Sequence, residues 1–214
     1  LATDAGSAQE SRQKLALAGV FDDRQGQDHL GQWSFGVSVL IDARTYAEAE
    51  TLRNGLSVCF RASRPDDVER LIDAFNKLDP DSIYLRFFGP KKEISPDEIR
   101  RLQEADFINR VVLLCTTQQD DQEIVIAFGN YACDGEGSAE VAFIVEEDFH
   151  RLGIAGRMMA HLGKIAVAAG IKGFIAEVLP RNDAMLNVFR RCGWPMTTKT
   201  ADGTVHIRLD LTAG

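Results

Sequence analysis

The residues best suited to chemistry in this 214-residue chain run Val145-Glu146-Glu147-Asp148-Phe149-His150-Arg151-Leu152-Gly153-Ile154-Ala155-Gly156-Arg157. The stretch leaves an apolar, strand-like run, turns, and enters a helix. Backbone N–H groups at such a junction have no intrahelical partner and sit at the positive end of the helix dipole. Gly153, Ala155 and Gly156 keep the surface bare, so a phosphate can approach those donors, and Arg151 and Arg157 add charge. The chemistry implied is the holding of a phosphate-bearing ligand. A Walker loop is excluded, since no Gly-Lys-Ser/Thr follows the first glycine. A G-x-G-x-x-G fingerprint fails as well, because counting from Gly153 puts Ala155 and Met158 at the later positions. Glu177 lies near the end of the next strand, as a ribose-binding acid would, but the strands before the loop are wrong for a dinucleotide half.

Those strands follow from hydrophobic patterning. Val111–Thr117, Glu123–Ala132 and Ala139–Val145 are strand-like and separated by the polar turns Gln118–Gln122 and Asp134-Gly135-Glu136-Gly137, which makes an antiparallel meander. A helix from about Gly153 to Ala169 then leads to strand Gly173–Val178, the one parallel crossover. Helix Asp183–Cys192 ends at Gly193, and two last strands flank the hairpin signal Ala201-Asp202-Gly203. Upstream, Ser57–Ala62 is a short strand. Val68, Leu71, Ile72, Phe75 and Leu78 share one helical face behind Pro65-Asp66-Asp67. Ser95-Pro96-Asp97-Glu98 is a capping box opening a second helix to about Ala105, and Ile83–Phe88 is apolar without a defined state. The sum is an α/β (α+β) domain over residues 56–214, built on a single mixed, mostly antiparallel sheet flanked by helices.

Residues 1–55 differ in character and show no chemistry. Ser11–Val20 suggests a short helix, Trp33–Ile41 a strand and Thr45–Leu52 a helix, so the region reads as an extension, a linker or the remnant of a preceding domain. The chain begins at Leu1 rather than Met, as an excised or processed piece of something longer would. Net charge is −8, from 24 basic and 32 acidic residues, which opposes binding to nucleic acid or anionic membrane. Apolar runs such as Ile165–Ala169 fall far short of the roughly 20 residues of a membrane helix. The cysteines Cys59, Cys115, Cys133 and Cys192 lack metal-ligand spacing, so reduced thiols, a cytoplasmic setting and no metal are expected.

The loop His150-Arg151-Leu152-Gly153-Ile154-Ala155 resembles the Gln/Arg-x-x-Gly-x-Gly/Ala motif of the GNAT superfamily of N-acetyltransferases in all but its first position. A second block, Asn182 to Trp194, is similar to that superfamily's Asn-x-x-Ala…Tyr…Gly-Phe signature, with Asn182, Ala184 or Met185, Phe189, Gly193 and Trp194 in register. The resemblance covers roughly residues 56–210. Leu52-Arg53-Asn54-Gly55, Arg64-Pro65-Asp66-Asp67 and Tyr84-Leu85-Arg86-Phe87-Phe88 look like the Pat-type bacterial protein lysine acetyltransferases, whose catalytic domain is often joined to a regulatory one.

The resemblance implies acetyl-CoA as cosubstrate, a sheet splayed between its two central parallel strands, and direct attack of an amine on the thioester. The acceptor it implies is a lysine on another protein, such as an acyl-CoA synthetase; a small amine is the alternative, and a non-catalytic acyl-CoA sensor a third. A lysine with pKa ~10.4 costs about 4.6 kcal/mol to deprotonate at pH 7, so a base is needed. The resemblance assigns that role to Glu140, with Glu123 and Glu177 as fallback carboxylates. It places Phe143, Ile144 and Val145 along the pantetheine arm, with the N–H of Ile144 or Val145 polarising the carbonyl. The amides of Leu152, Gly153, Ile154, Ala155, Gly156 and Arg157 would hold the pyrophosphate, and Asn182 would bond the arm or simply cap its helix. Two departures stand out. Phe189 replaces the tyrosine that protonates the leaving thiolate, and His150 replaces the usual Gln or Arg.

Overall fold

The computed structural model describes residues 41–213. The helix expected at Ser11–Val20, and all but the last residue of the strand expected at Trp33–Ile41, lie outside them. The strands are β1 (Ala47–Thr51), β2 (Ser57–Ala62), β3 (Arg110–Gln119), β4 (Gln122–Cys133), β5 (Ser138–Val145), β6 (Gly173–Val178), β7 (Met196–Ala201) and β8 (Thr204–Asp210). The helices are α1 (Val68–Lys77), α2 (Pro80–Phe87), α3 (Pro96–Gln103), α4 (Ile154–Ala168) and α5 (Asp183–Arg190). One sheet orders the strands β1-β2-β3-β4-β5-β6-β8-β7, antiparallel except for β5 and β6.

Local chemistry sets most of these boundaries as the sequence indicates. Ser95 Oγ accepts the Glu98 N–H at 3.3 Å while the Glu98 carboxylate accepts the Ser95 N–H at 2.9 Å, which closes the capping box at α3. Asp202 and Gly203, with φ of 51° and 79°, form the two-residue β7–β8 turn. The undefined segment Ile83–Phe88 falls in α2, opened by Pro80 in its first turn and closed by Phe88 in a left-handed conformation.

The helices divide between the two faces of the sheet. Leu71 of α1 packs with Leu114, Val125 and Phe128 on one face. Gly129, the next residue on β4, points the other way, where α4 approaches so closely that a Cβ there would meet Met158 Cγ at 2.7 Å. Gly163 serves the same purpose toward the segment between α5 and β7, because an added Cβ would collide with the Trp194 ring. Gly163→Ala is expected to destabilise the fold by about 1–3 kcal/mol through overpacking, despite alanine's better helix propensity. Chemical denaturation of the variant measures this, and an unchanged midpoint would refute the close approach.

The expected boundary at residue 55 cuts through structure. Thr45–Leu52 is not helical: Ala47–Thr51 pairs with Ser57–Arg61 as the edge hairpin, and Ala43, Tyr46 and Leu52 are buried in the main core. The Ala/Glu-rich sequence favours a helix locally, but tertiary contacts override it. Tyr46, Glu48 and Glu50 alternate onto one strand face and meet Arg157, His161 and Lys164, which share one face of α4.

Candidate functional site

β5 and β6 pair only through Ser138–Gly173, Ala139–Phe174 and Glu140–Ile175. Beyond Glu140 the strands part, while β5 keeps its ladder with β4 as far as Val145. The result is a cleft of about 1000 Å³ between Val141–Val145 and Ala176–Val178, with α2 on one side and α5 on another. Glu140, Phe143, Ile144, Val145, His150, Gly153, Ile154, Ala155, Gly156, Arg157, Asn182 and Phe189 all line it. Leu152 does not; its side chain packs against the hydrophobic core instead.

The C-terminal end of β5 builds an anion site from backbone. A 3-10 turn over Glu147–Phe149 is followed by Arg151 and Gly153 with φ of 63° and 85°, and Gly153 caps α4 without a side chain. The first intrahelical bond there runs from the Arg157 N–H to Gly153 O, at 3.2 Å. The N–H groups of Ile154, Ala155 and Gly156 therefore have no partner among the described residues and face the cleft at the positive end of a 15-residue helix. A Cβ on Gly156 would touch nothing, so the approach is open. Five arginines, Arg53, Arg86, Arg151, Arg157 and Arg191, line the cleft against two glutamates, Glu140 and Glu177. A chain of net charge −8 thus concentrates positive charge where a polyanion would sit.

Individual side chains refine the expectations. His150 is exposed, but its ring Nε2 donates to the Val145 carbonyl at 2.8 Å and ties the loop back to the strand. Asn182 caps α5, its Oδ1 accepting the Met185 N–H at 3.1 Å. Phe189 is buried against Phe143, ring centroids 5.7 Å apart, and offers no proton. Glu140 is exposed, and its carboxylate makes no hydrogen bond or ion pair with the described residues. Glu177 lines the cleft 3.3 Å from His206 Nδ1, whereas Glu123 is committed elsewhere, to Arg61 at 2.9 Å. Among the described residues no group of three or more His, Cys, Asp or Glu is placed to hold a metal ion, and the four cysteines are free thiols.

A polar chain without any signature in the sequence steadies the loop from behind. Tyr46 Oη donates to His161 Nδ1 at 2.6 Å, His161 Nε2 donates to Glu50 Oε1 at 2.9 Å, and Glu50 Oε2 accepts from Arg157 Nε at 2.6 Å. Burial holds the His161 pKa below its usual value despite the pull of Glu50, which favours the neutral ring with this donor order. Burial, with Glu48 and Glu50 nearby, pushes the Tyr46 hydroxyl up to about 12, so it remains a donor. No motif links these residues; only the packing of β1 on α4 does.

Comparison with known proteins agrees with this architecture. Fold and sequence together make the protein an acyltransferase. The family model of the GNAT acetyltransferase domain matches residues 57–195, and the chain belongs to that family. It is 29% identical over 137 residues to an acetyltransferase of Pseudomonas aeruginosa, covering 64% of this chain and 74% of that one. It is 30% identical over 144 residues to acetyltransferase Pat of Mycolicibacterium smegmatis, covering 66% of this chain but only 42% of the relative. Among solved structures, the GNAT domain of S. lividans PAT superposes with a TM-score of 0.70 at 31% identity, over 77% of this chain and 96% of that domain. A cAMP-binding acyltransferase from Mycobacterium smegmatis gives 0.55 at 26% identity, over 79% of this chain and 48% of its own length. No helix among the described residues is long and apolar enough to cross a membrane.

Proposed function

We propose that the protein transfers the acetyl group of acetyl-CoA to a lysine side chain of another protein, with Glu140 as general base. The observation that carries this reading is the cleft itself, with unpaired helix-start amides at one end of the splayed β5 edge and the unpaired Glu140 carboxylate at the other. A fold neighbour from Salmonella typhimurium, 15% identical with a TM-score of 0.55, is described with its cofactor acetyl-CoA. The likeness to Pat at 30% identity supports a protein acceptor, and the 42% of Pat that is matched leaves room for a regulatory domain, fused or associated.

In this mechanism the phosphates of the cosubstrate lie against Ile154, Ala155 and Gly156, and Asn182 reaches the pantetheine arm. The acceptor ammonium gives a proton to Glu140, directly or through water, and its nitrogen attacks the thioester carbon. The N–H of Ile144 or Val145 stabilises the oxyanion; the C–S bond then breaks, the nitrogen gives up its second proton to water, and the departing thiolate takes a proton from water. Phe189 takes no part in the proton transfer. A free thiol pKa of about 8.5 makes unassisted departure tolerable.

The test is incubation with labelled acetyl-CoA and cell-extract protein beside free small amines. Label confined to small amines would overturn the protein acceptor, and no binding of any acyl-CoA would overturn the cosubstrate. Gly153→Ala adds a local check. Its φ of 85° is costly for alanine, by roughly 1–2 kcal/mol, and a Cβ would lie 2.9 Å from Arg157 Nη1. The KM for acetyl-CoA should rise about tenfold, kcat changing less; an unchanged KM contradicts the loop's role.

A further inference from the structure

Arg86, half-buried, is treated unlike Arg61. The fully buried Arg61 is clamped by Asp67 through two bonds of 2.7 Å and by Glu123 at 2.9 and 3.0 Å. Arg86, on α2, has its Nε buried without a hydrogen-bond partner, and its guanidinium makes no ion pair with the described residues. Its nearest neighbour of note is the adjacent Phe87 ring, 5.0 Å from Cζ. A half-buried guanidinium with an unmatched buried N–H pairs readily with a carboxylate, and Arg86 opens on the cleft where an incoming anion reaches it.

The position of Arg86 says where that anion would be. It lines the main cleft together with Glu140, and it also borders a second chamber of about 230 Å³ under α1–α3, walled by Leu71, Phe75 and Phe128 and by the carboxylates Glu98 and Glu146. Neither carboxylate pairs with it, and Glu98 is already held by Lys91 at 2.6 Å. Burial weakens the arginine's hold on its proton, and the carboxylate that offsets this most is Glu140, ahead of Glu98. The phosphate loop, by contrast, begins after Val145, five residues or roughly 17 Å further along β5, and has its own amides and arginines. The anion at Arg86 therefore belongs beside the acceptor amine rather than to the cosubstrate's phosphates.

We propose that Arg86 is a specificity-determining residue that binds a carboxylate of the acceptor while Glu140 takes the amine. On a protein acceptor this is an acidic side chain close to the target lysine. The inference rests on the acetyl-transfer reading above and narrows its substrate class.

The test uses the full chain, acetyl-CoA and single-lysine peptides carrying Glu or Gln at each flanking position in turn. At one or more positions the Glu peptide should show a kcat/KM about tenfold or more above its Gln partner, mostly through KM. Arg86→Met should abolish that ratio, Arg86→Lys should keep part of it, and Arg86→Glu should reverse it toward a Lys-flanked peptide. Calorimetric binding of coenzyme A by each variant checks that it is folded; if Arg86→Met fails, Arg86→Lys carries the comparison. A ratio near one in the native protein, or one that survives loss of the arginine, overturns the inference. If no peptide accepts acetyl, the lysine reading fails separately, and 4-aminobutyrate against butylamine supplies the same ratio. If neither amine is acetylated, the inference falls with the transfer reading.

Discussion

Glu140→Gln is expected to lower kcat/KM for an amine acceptor by about 10²–10⁴ at pH 7 while leaving the KM for acetyl-CoA near its native value. The two effects separate because the base and the phosphate site occupy opposite ends of the splayed β5 edge. Glutamine keeps the size of the side chain but cannot take the proton. The deficit should shrink as pH rises toward ~10.4, where a lysine acceptor sheds its proton unaided. Initial rates at pH 7 and near the lysine pKa measure both trends. A variant as fast as the native protein at neutral pH would rule out Glu140, and Glu177, which also lines the cleft, would become the residue to replace next.

Asp67→Ala is expected to cost about 3–5 kcal/mol of stability, the largest effect of any single substitution considered. Asp67 is fully buried and accepts from Arg61 Nη1 and Nη2 at 2.7 Å each, from the Arg64 N–H at 2.7 Å and from Arg70 at 3.1 Å. Removing it leaves the buried Arg61 with Glu123 as its one counter-charge among the described residues and the Ala62 carbonyl at 3.1 Å. Replacing Arg61 and Asp67 together by leucine should recover much of the loss, since both fully buried charges go together and the partly exposed Glu123 keeps Arg70 at 3.9 Å. Burial by itself would raise the Asp67 pKa, but the Arg61 bonds, the Arg64 N–H and the Arg70 charge outweigh it and hold the carboxylate below its usual value. Its contribution is thus complete above the ordinary aspartate pKa and is lost as pH falls through the lower folded value. Urea denaturation as a function of pH should show this acid-side slope in the native protein and a shallower one in Asp67→Ala. A loss under about 1 kcal/mol would show that the pair is dispensable.

The same residue shows how far the sequence could be read. In the sequence Asp67 is legible only as part of the Pro65-Asp66-Asp67 lead into a helix, and α1 does follow it. That Asp67 also pairs with Arg61, Arg64 and Arg70 depends on β2 delivering Arg61 beneath that turn. Glu123, named as a fallback base, is drawn into this network for the same reason. In Thr45–Leu52 the local helix preference was plain, yet Tyr46, Glu48 and Glu50 gain more from alternating onto the face that meets α4.

What the sequence determined by itself was whatever depends on neighbours along the chain. This includes the capping box at Ser95, the Asp202-Gly203 turn, the meander, and the bare helix start at Gly153–Gly156 that made an anion site legible. Tertiary structure decided the rest. The parting of β5 from β6 after Glu140, the Tyr46–His161–Glu50–Arg157 chain behind the loop, and the isolation of Arg86 all join residues distant in sequence. Such pairings are set by packing and by the cost of leaving buried polar groups unmatched, and no local spacing records them.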